Sequence, residues 1–440
     1  MEQVSLNSIR KVLPDAAITE ACRAVGHVFR KRKISPILTV LHLILAAIWP
    51  EDSFEASWQT LWDSFASRFP GQAGPGPSSG SVAKARGRLP LNLLMGLWAY
   101  LRNQVETRSE SAACWRGHRV ILMDGTCVSM PEKPDLVDTF GRGAGNQGPS
   151  KFPIARLVTL ALANTLTVLA WRLGRYNDDE NALLAPLLQT LRQGDLVLGD
   201  SHLAGARLYV GYQRAGLEFL TRARSALKIH RLKVVHRYAA GDRLVSMKVY
   251  PAYRYRDPTL PEQVLVRMIQ GVVRDRGRRR VIWLVSSLLD AKRYPAEELL
   301  ALYCRRWRME TLLKTLKLRL SADVLRSTTP EGISKELAAR FLAVNIVRLI
   351  MLEAAEAYQV DPVRISFTHA LRAILAFAPA MADAPIQTLP RLYQQMLYQI
   401  AEHQIPPRPG RHEPRMIRRK KEFYPNLKVT RKMWRKKNAS

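Results

Sequence analysis

Two carboxylates and one helix-spaced cluster are the residues of this sequence best suited to chemistry. Asp124 follows the run Arg119 to Met123 (RVILM), and Asp200 follows Leu196-Val197-Leu198-Gly199. An unpaired charge is costly to bury, so neither aspartate suits a core, and each is expected at the rim of a sheet where its strand ends. The structural alternative is that an aspartate after a strand caps a turn or a helix. Farther along, Tyr303, Arg306, Glu310 and Lys317 are spaced three, four and seven residues apart. At roughly 100° per residue they fall within about 60° of arc, so one helix face would carry a phenol, a guanidinium, a carboxylate and an ammonium. Taken alone, that face reads first as a solvated stripe with Arg306 and Glu310 as an i,i+4 pair.

The elements that must hold these residues follow from periodicity. From Ser5 to Arg102 apolar residues recur at three-and-four spacing, which predicts a helical N-terminal domain over 1–112. Its most apolar stretch, Ile37 to Trp49, contains His42 and falls short of the roughly 20 residues that cross a bilayer. A buried helix is expected there, and no membrane partner. The pattern changes near His118. Short apolar runs, among them Phe152 to Ala170, alternate with a helical segment from Glu180 to Arg192 and predict a mixed α/β core over 113–350. Strand-like runs (LEFLTRAR, DRLVSMKVY, QVLVRMI, RRVIWLVSSLL) dominate from Gly216 to Leu288, so a β-rich insertion is expected at about 205–290. Helical periodicity resumes at Pro295 and continues to about Glu402; the C-terminal region, 351–440, ends in a basic tail.

Charge narrows the partner. The 440 residues are 47% apolar, and 68 Lys and Arg stand against 37 Asp and Glu, a formal net charge of +31. Such a chain can bury real cores, which excludes a disulfide miniprotein and a disordered tail. A polyanion best relieves its self-repulsion, nucleic acid ahead of an anionic membrane. Residues 404–440 hold 13 Lys and Arg against two Glu, including the run Arg418, Arg419, Lys420 and Lys421. Phosphate contact is also expected of Arg30-Lys31-Arg32-Lys33, and of Lys84, Arg86 and Arg88 after the Gly71-to-Gly80 loop. In the strand-rich region it is expected of Arg222, Arg224, Lys228, Arg231, Lys233 and Arg278 to Arg280. Cys22, Cys114, Cys127 and Cys304 form no close pair, which argues against a zinc ribbon or a disulfide framework and for a reducing, cytoplasmic setting. No secretory signal is evident in the first twenty residues.

The spacing Y-x2-R-x3-E-x6-K at Tyr303, Arg306, Glu310 and Lys317 resembles the YREK signature of bacterial DDE transposases of the insertion-sequence-4 family, with a match at all four positions. Asp124-Gly125-Thr126 resembles the family's first catalytic aspartate, and Gly194 to Asp200 the second. Leu325-Arg326-Ser327, Glu336-Leu337 and Asn345-Ile346-Val347-Arg348 are similar to its C-terminal helices. These motifs stand in the family's order between about 118 and 350. One departure is local: after the second aspartate the family often has an arginine and soon an aromatic, where this chain has Ser201-His202-Leu203. The resemblance implies an RNase H-like mixed-sheet catalytic core interrupted by a β-rich insertion. The intervals of 76 residues from Asp124 to Asp200 and 110 from Asp200 to Glu310 are compatible with it.

By the same resemblance the activity is DNA transposition: binding the terminal inverted repeats of an element, cleaving there and joining the ends to target DNA. Asp124, Asp200 and Glu310 are then the catalytic and metal-binding residues. Three convergent carboxylates can hold two divalent cations about 4 Å apart, and oxygen-only ligands favour Mg2+, with Mn2+ as a substitute. Tyr303, Arg306 and Lys317 become DNA-binding residues beside the scissile phosphate. A homodimer in a synaptic complex with double-stranded DNA is implied as well. A nuclease that cuts without joining, or a non-catalytic DNA-binding derivative, would use the same features. Asp135, Asp138 and Asp195 read as turn caps, Asp178-Asp179-Glu180 as acids starting a helix, and His202 as outside the metal site. Trp283 reads as sheet core, and Trp307 as a packing residue on the buried side of its helix.

Overall fold

Apolar runs with strand and helix periodicity assemble around a shared core in the computed structural model, which describes residues 7–29, 33–50, 53–68, 76–109, 114–145, 148–275, 278–406 and 433. Arg30, Lys31, Arg32 and the tail run Arg418, Arg419, Lys420 and Lys421 lie outside the described residues, as do residues 71–75 of the predicted loop.

The N-terminal part is helical as expected: α1 (Asn7–Val12), α2 (Asp15–Ala24), α3 (Pro36–Ile48), α4 (Phe54–Arg68), α5 (Ser79–Arg88) and α6 (Leu91–Ser109). The Ser35 hydroxyl accepts from the Leu38 N–H and Pro36 occupies the first turn, so α3 starts with its donors partly satisfied. Almost all of α3 is buried. Within it the His42 Nε2–H donates to the Phe54 carbonyl at 2.8 Å, the ring lies edge-on to Trp58, and burial pushes its pKa down to about 4. His42 is thus a neutral core histidine. On α5, Lys84 and Arg88 are exposed, but Arg86 corrects the expectation of a phosphate contact: its guanidinium lies 3.7 Å from the centroid of the Phe54 ring. An arginine on the core side of a short helix packs its stem and planar head against apolar surface. No helix among the described residues is long and apolar enough to cross a membrane.

The core sheet begins with β1 (Cys114–Trp115) and β2 (His118–Ser129). After α7 (Pro134–Phe140) and β3 (Arg142–Gly145), β4 (Gly148–Leu162) pairs antiparallel with β2, and β5 (Val168–Arg175) antiparallel with β4. The chain then forms α8 (Glu180–Leu188), returns as β6 (Leu196–Gly199) parallel to β2, and passes through α9 (Ala206–Arg214) to β7 (Glu218–Arg222), parallel to β6. The order β5-β4-β2-β6-β7, an antiparallel meander joined to a parallel pair, is the RNase H-like arrangement expected of the sequence.

The strand-rich segment extends this sheet. β11 (Arg278–Ser286) pairs with β7, followed by β10 (Gln263–Asp275), β9 (Asp242–Lys248) and the edge strand β8 (Lys233–Ala239); α10 (Pro251–Arg256) joins β9 to β10. LEFLTRAR therefore supplies a core strand, and the added strands begin after Arg222 instead of near residue 205. Which strand pairs with which is a long-range property, and local composition does not report it. β8 is largely exposed on both faces, so it lacks the alternation that marks a half-buried strand.

Helices close the chain: α11 (Ala296–Cys304), α12 (Trp307–Arg319), α13 (Pro330–Ala357), α14 (Phe367–Asp383) and α15 (Leu389–Glu402). α13 is buried along most of its length because it packs between α3 and α6 and the sheet at β5. Its Asn345 side chain accepts from the Val168 N–H at 2.9 Å and donates to the Val168 carbonyl at 3.0 Å. Its Glu336 accepts the backbone N–H groups of Arg326 and Ser327 and pairs with Arg340 at 2.9 Å. Glu336 and Asn345, singled out by family resemblance, thus tie helices to the core.

Candidate active site

β6 pairs with β2 at an offset of 76 residues: Val120 with Leu196, Ile121 with Val197, Leu122 with Leu198. Carried two residues farther, the same offset brings Asp200, the first residue after β6, toward the level of Asp124, and the Asp200 carboxylate acts on that of Asp124. In the β6–β7 ladder Gly199 pairs with Thr221, so Arg222 falls level with Asp200 in turn.

Asp124 does not end its strand. β2 continues to Ser129 because its other edge stays paired with β4 as far as Ser129 and Ile154, whereas β6 stops at Gly199. Asp124 is therefore held by a ladder on one side and faces an open edge on the other. Burial pushes its carboxyl up to about 6; the Gly125 N–H it accepts at 2.8 Å opposes that shift, Asp200 and Glu310 add to it, and Arg306 lowers it. Asp200 follows its strand as expected, and its Oδ1 accepts from the backbone N–H of His202 at 2.8 Å and of Leu203 at 3.2 Å. The turn-capping role and the site position coexist in this residue.

The predicted single helix face is in fact split. Arg305 and Arg306 donate their N–H groups to Leu302 and Tyr303 three residues back, a tighter turn that separates α11 from α12. Tyr303 is the last buried residue of α11, and Arg306 precedes the first turn of α12. Arg306 still reaches both neighbours: its Nη2 donates to Glu310 Oε1 at 3.3 Å, and its Cζ stands 6.0 Å from the Tyr303 ring centroid. Burial pushes the Tyr303 hydroxyl up, Arg306 and Arg222 lower it and Asp200 raises it. Tyr303, Arg306, Asp124, Asp200 and Glu310 thus form one electrostatic cluster. Trp307 is 60% exposed, which corrects its expected burial. The packing face of α12 is Met309, Leu312, Leu313 and Leu316, and two residues before Met309 the helix points away from the core.

Lys317 lies two turns beyond Glu310, on the flank of the cluster. It acts on Cys127, whose thiol burial pushes up, Arg156 and Lys317 lower, and Glu180 raises. Glu180, expected only as an acid starting a helix, does start α8 and also lies against the site. Its carboxylate pairs with Arg156 at 2.6 Å and packs so closely over Gly125 that a Cβ there would lie 2.8 Å from Oε1. The signal was a glycine directly after the aspartate, which permits such an approach. A groove of about 430 Å³ lined by Arg156, Asp179, Glu180, Ser201, His202 and Arg224 opens beside the cluster.

The other acids have structural partners. Asp178 accepts from the Arg175 N–H and Asp179 from the Asn181 N–H. Asp195 is buried and accepts two hydrogen bonds from the Arg119 guanidinium, at 2.9 and 2.6 Å, besides capping the Arg192 N–H at 2.9 Å. Asp135 lies in the first turn of α7. Trp283 is half-buried under Arg243, whose Cζ is 4.6 Å from the ring centroid.

Among the described residues no three His, Cys, Asp or Glu side chains already converge as a metal cage. The donor set nevertheless fits a hard cation, since one aspartate is pushed up by burial and by two neighbouring carboxylates while Arg306 opposes them. The family model described as "Transposase DDE domain" matches residues 115–346, a span that includes all six of these predicted site residues. The chain belongs to the DDE transposase family. It is 25% identical over 316 residues to "Transposase InsG for insertion sequence element IS4" of Escherichia coli (strain K12), covering 71% of this chain and 70% of that protein, which bears out the insertion-sequence-4 kinship. A cryo-EM structure of the piggyBac transposase synaptic complex with hairpin DNA aligns over 93% of this chain and 87% of its own, with 12% identity and a TM-score of 0.40.

Proposed function

We propose that this family member is a DNA transposase that binds the terminal inverted repeats of its element, cleaves at the ends and joins them to target DNA, in the cytoplasm and as a homodimer on double-stranded DNA. The observation that carries the reading is the shared register that brings Asp200 toward the level of Asp124, with Glu310 and Arg306 acting on the same carboxyl. Asp124, Asp200 and Glu310 would hold two divalent cations, Mg2+ or Mn2+. When bound, such ions activate a water or 3′-hydroxyl and stabilise the leaving oxygen. Glu310, which accepts from Arg306 at 3.3 Å, would help hold the cations, and Arg306 would offer its planar fork to a phosphate oxygen. Lys317 contributes a point charge farther along the strand, and the Tyr303 hydroxyl one more hydrogen bond.

The test is cleavage and joining of DNA that carries the element's own ends, in Mg2+, by the wild type and by Asp124→Ala, Asp200→Ala and Glu310→Ala. Each variant is expected to lose cleavage on the order of 10³-fold or more, the rate equivalent of several kcal/mol of lost charge stabilisation, while retaining DNA binding. Cleavage retained by a variant would remove that residue from the site. Cut ends that never join would favour a nuclease, and shifted bands with no cut ends a non-catalytic binder.

A further inference from the structure

The strand extension carries aromatic side chains that the fold leaves uncovered. Between β9 and β10 the segment Val249-Tyr250-Pro251-Ala252-Tyr253-Arg254-Tyr255-Arg256 turns into α10, started by Pro251 in its first turn. Tyr250 is 71% exposed, Tyr253 41% and Tyr255 90%. Three large rings within six residues, outside any core, mark a surface that something else covers. Cations are interleaved with them. Arg256 is exposed, and Arg254 is half-buried and pairs with Glu262 at 2.9 Å. Arg207 of α9 stands over Tyr253, its Cζ 5.3 Å from the ring centroid.

The placement of this cluster is fixed from α9. Arg207 holds it near the start of that helix, seven residues beyond Asp200. At the other end Arg214 donates to the Thr259 carbonyl at 2.5 Å and pairs with Asp257 at 3.3 Å. α10 therefore lies alongside the helix that leaves the strand end bearing Asp200.

We propose that Tyr250, Tyr253 and Tyr255, with Arg207, Arg254 and Arg256, form a docking surface for unpaired DNA bases on the α9 flank of the catalytic core. The inference rests on the proposed action on DNA and adds to it a surface outside the carboxylate cluster. Charge complementarity selects a polyanion, given a chain of net charge +31 and arginines between the rings. The rings select its state. Bases inside a duplex already stack on one another and present only their edges, whereas an unpaired base offers its face to a flat side chain.

The experiment measures binding of the full chain by fluorescence anisotropy at one fixed salt concentration, without divalent cation so that cleavage plays no part. The probes are a blunt duplex and the same duplex with a single-stranded overhang. The wild type is expected to prefer the overhang by about tenfold, within the range that stacking of one or two bases supplies. The triple variant Tyr250→Ala, Tyr253→Ala and Tyr255→Ala loses that preference and keeps blunt-duplex affinity; the triple Phe variant keeps both, since stacking needs the ring and not the hydroxyl. A preference that survives the triple Ala change overturns the proposal, and so does a loss that falls equally on both probes. Self-association that the triple Ala variant abolishes, with the overhang preference intact, would give the surface to a second copy of the chain and overturn it too. A wild type that binds no duplex refutes the transposase reading; one that binds duplex without overhang preference refutes only this inference.

Discussion

The β2–β6 ladder has two ends, and both carry charge at the same offset of 76 residues. Just before its first pair Arg119 binds Asp195; two residues beyond its last pair Asp124 feels the charge of Asp200. The first end is saturated. Asp195 takes both oxygens to Arg119, whose third contact is Glu106 of α6 at 2.7 Å, and Glu106 also binds Arg192 at 2.9 Å. Burial pulls the Arg119 guanidinium down, yet the hydrogen bonds and charges of Asp195 and Glu106 together outweigh it and leave it raised. At the finish the carboxylates of Asp124, Asp200 and Glu310 all act on the Arg306 guanidinium, and burial pushes Asp124 up to about 6. One end of the ladder holds matched opposite charges and locks a helix to the sheet. The other keeps like charges together, which costs stability and is useful only if a cation arrives.

The contrast breaks most visibly at the saturated end. Asp195→Ala leaves a largely buried guanidinium one partner short, and losing one partner of a buried pair costs about 3–5 kcal/mol. Urea unfolding should show that loss, while cleavage per folded molecule stays within a few-fold of wild type. A variant that unfolds normally but fails to cleave would move Asp195 into the chemistry and erase the distinction between the two ends.

How far these two ends could be read from sequence differs for a physical reason. Asp124, Asp200 and the Tyr303-to-Lys317 spacing were legible because each is a local pattern, an acid after an apolar run or polar residues at helical spacing. The core strands and the helices up to Glu402 were legible by the same periodicities. The Arg119–Asp195–Glu106 network was not, since it joins residues 76 and 13 positions apart from Arg119 and looks locally like a turn cap. The continuation of β2 past Asp124 was hidden because strand ends depend on partner length, and β4 outlasts β6 on that side. The tightened turn at Arg305 and Arg306 was hidden too, and with it the outward Trp307. Glu180 looked like any acid in a first helical turn until the sheet brought Gly125 under it.

A smaller effect sharpens the same comparison from the open end. The folded chain holds a proton on Asp124 up to about pH 6, whereas an unfolded aspartate releases it near pH 3.9. A raised carboxyl favours the folded state only while protonated, so its contribution is complete below about pH 4 and is lost as pH rises through about 6. In chelator, Asp124→Asn should therefore be more stable than wild type at about pH 8, by roughly 1–3 kcal/mol, and no more stable at about pH 4. Thermal unfolding across pH measures this directly. Divalent cation should stabilise the wild type and close the gap. No pH dependence of the difference would mean that Asp124 is not held under strain by its neighbours.

The smallest effect asks whether Arg306 is the counterweight. It lowers Asp124 against the push of burial, Asp200 and Glu310, so Arg306→Gln should extend the alkaline-side loss of stability by a fraction of a pH unit. The change should vanish in an Asp124→Asn background, because a neutral side chain has no charge for the guanidinium to offset. Read as a double-mutant cycle in metal-free buffer at about pH 8, the coupling should be on the order of 1 kcal/mol and favourable. At the saturated end the corresponding cycle in the same buffer, Arg119→Gln with Asp195→Asn, should give a larger coupling, since Asp195 holds both its oxygens on the guanidinium and one on a backbone N–H. Equal couplings at the two ends would mean that Arg306 pairs as tightly as Arg119 does. The open end would then have no charge left over for a cation to satisfy.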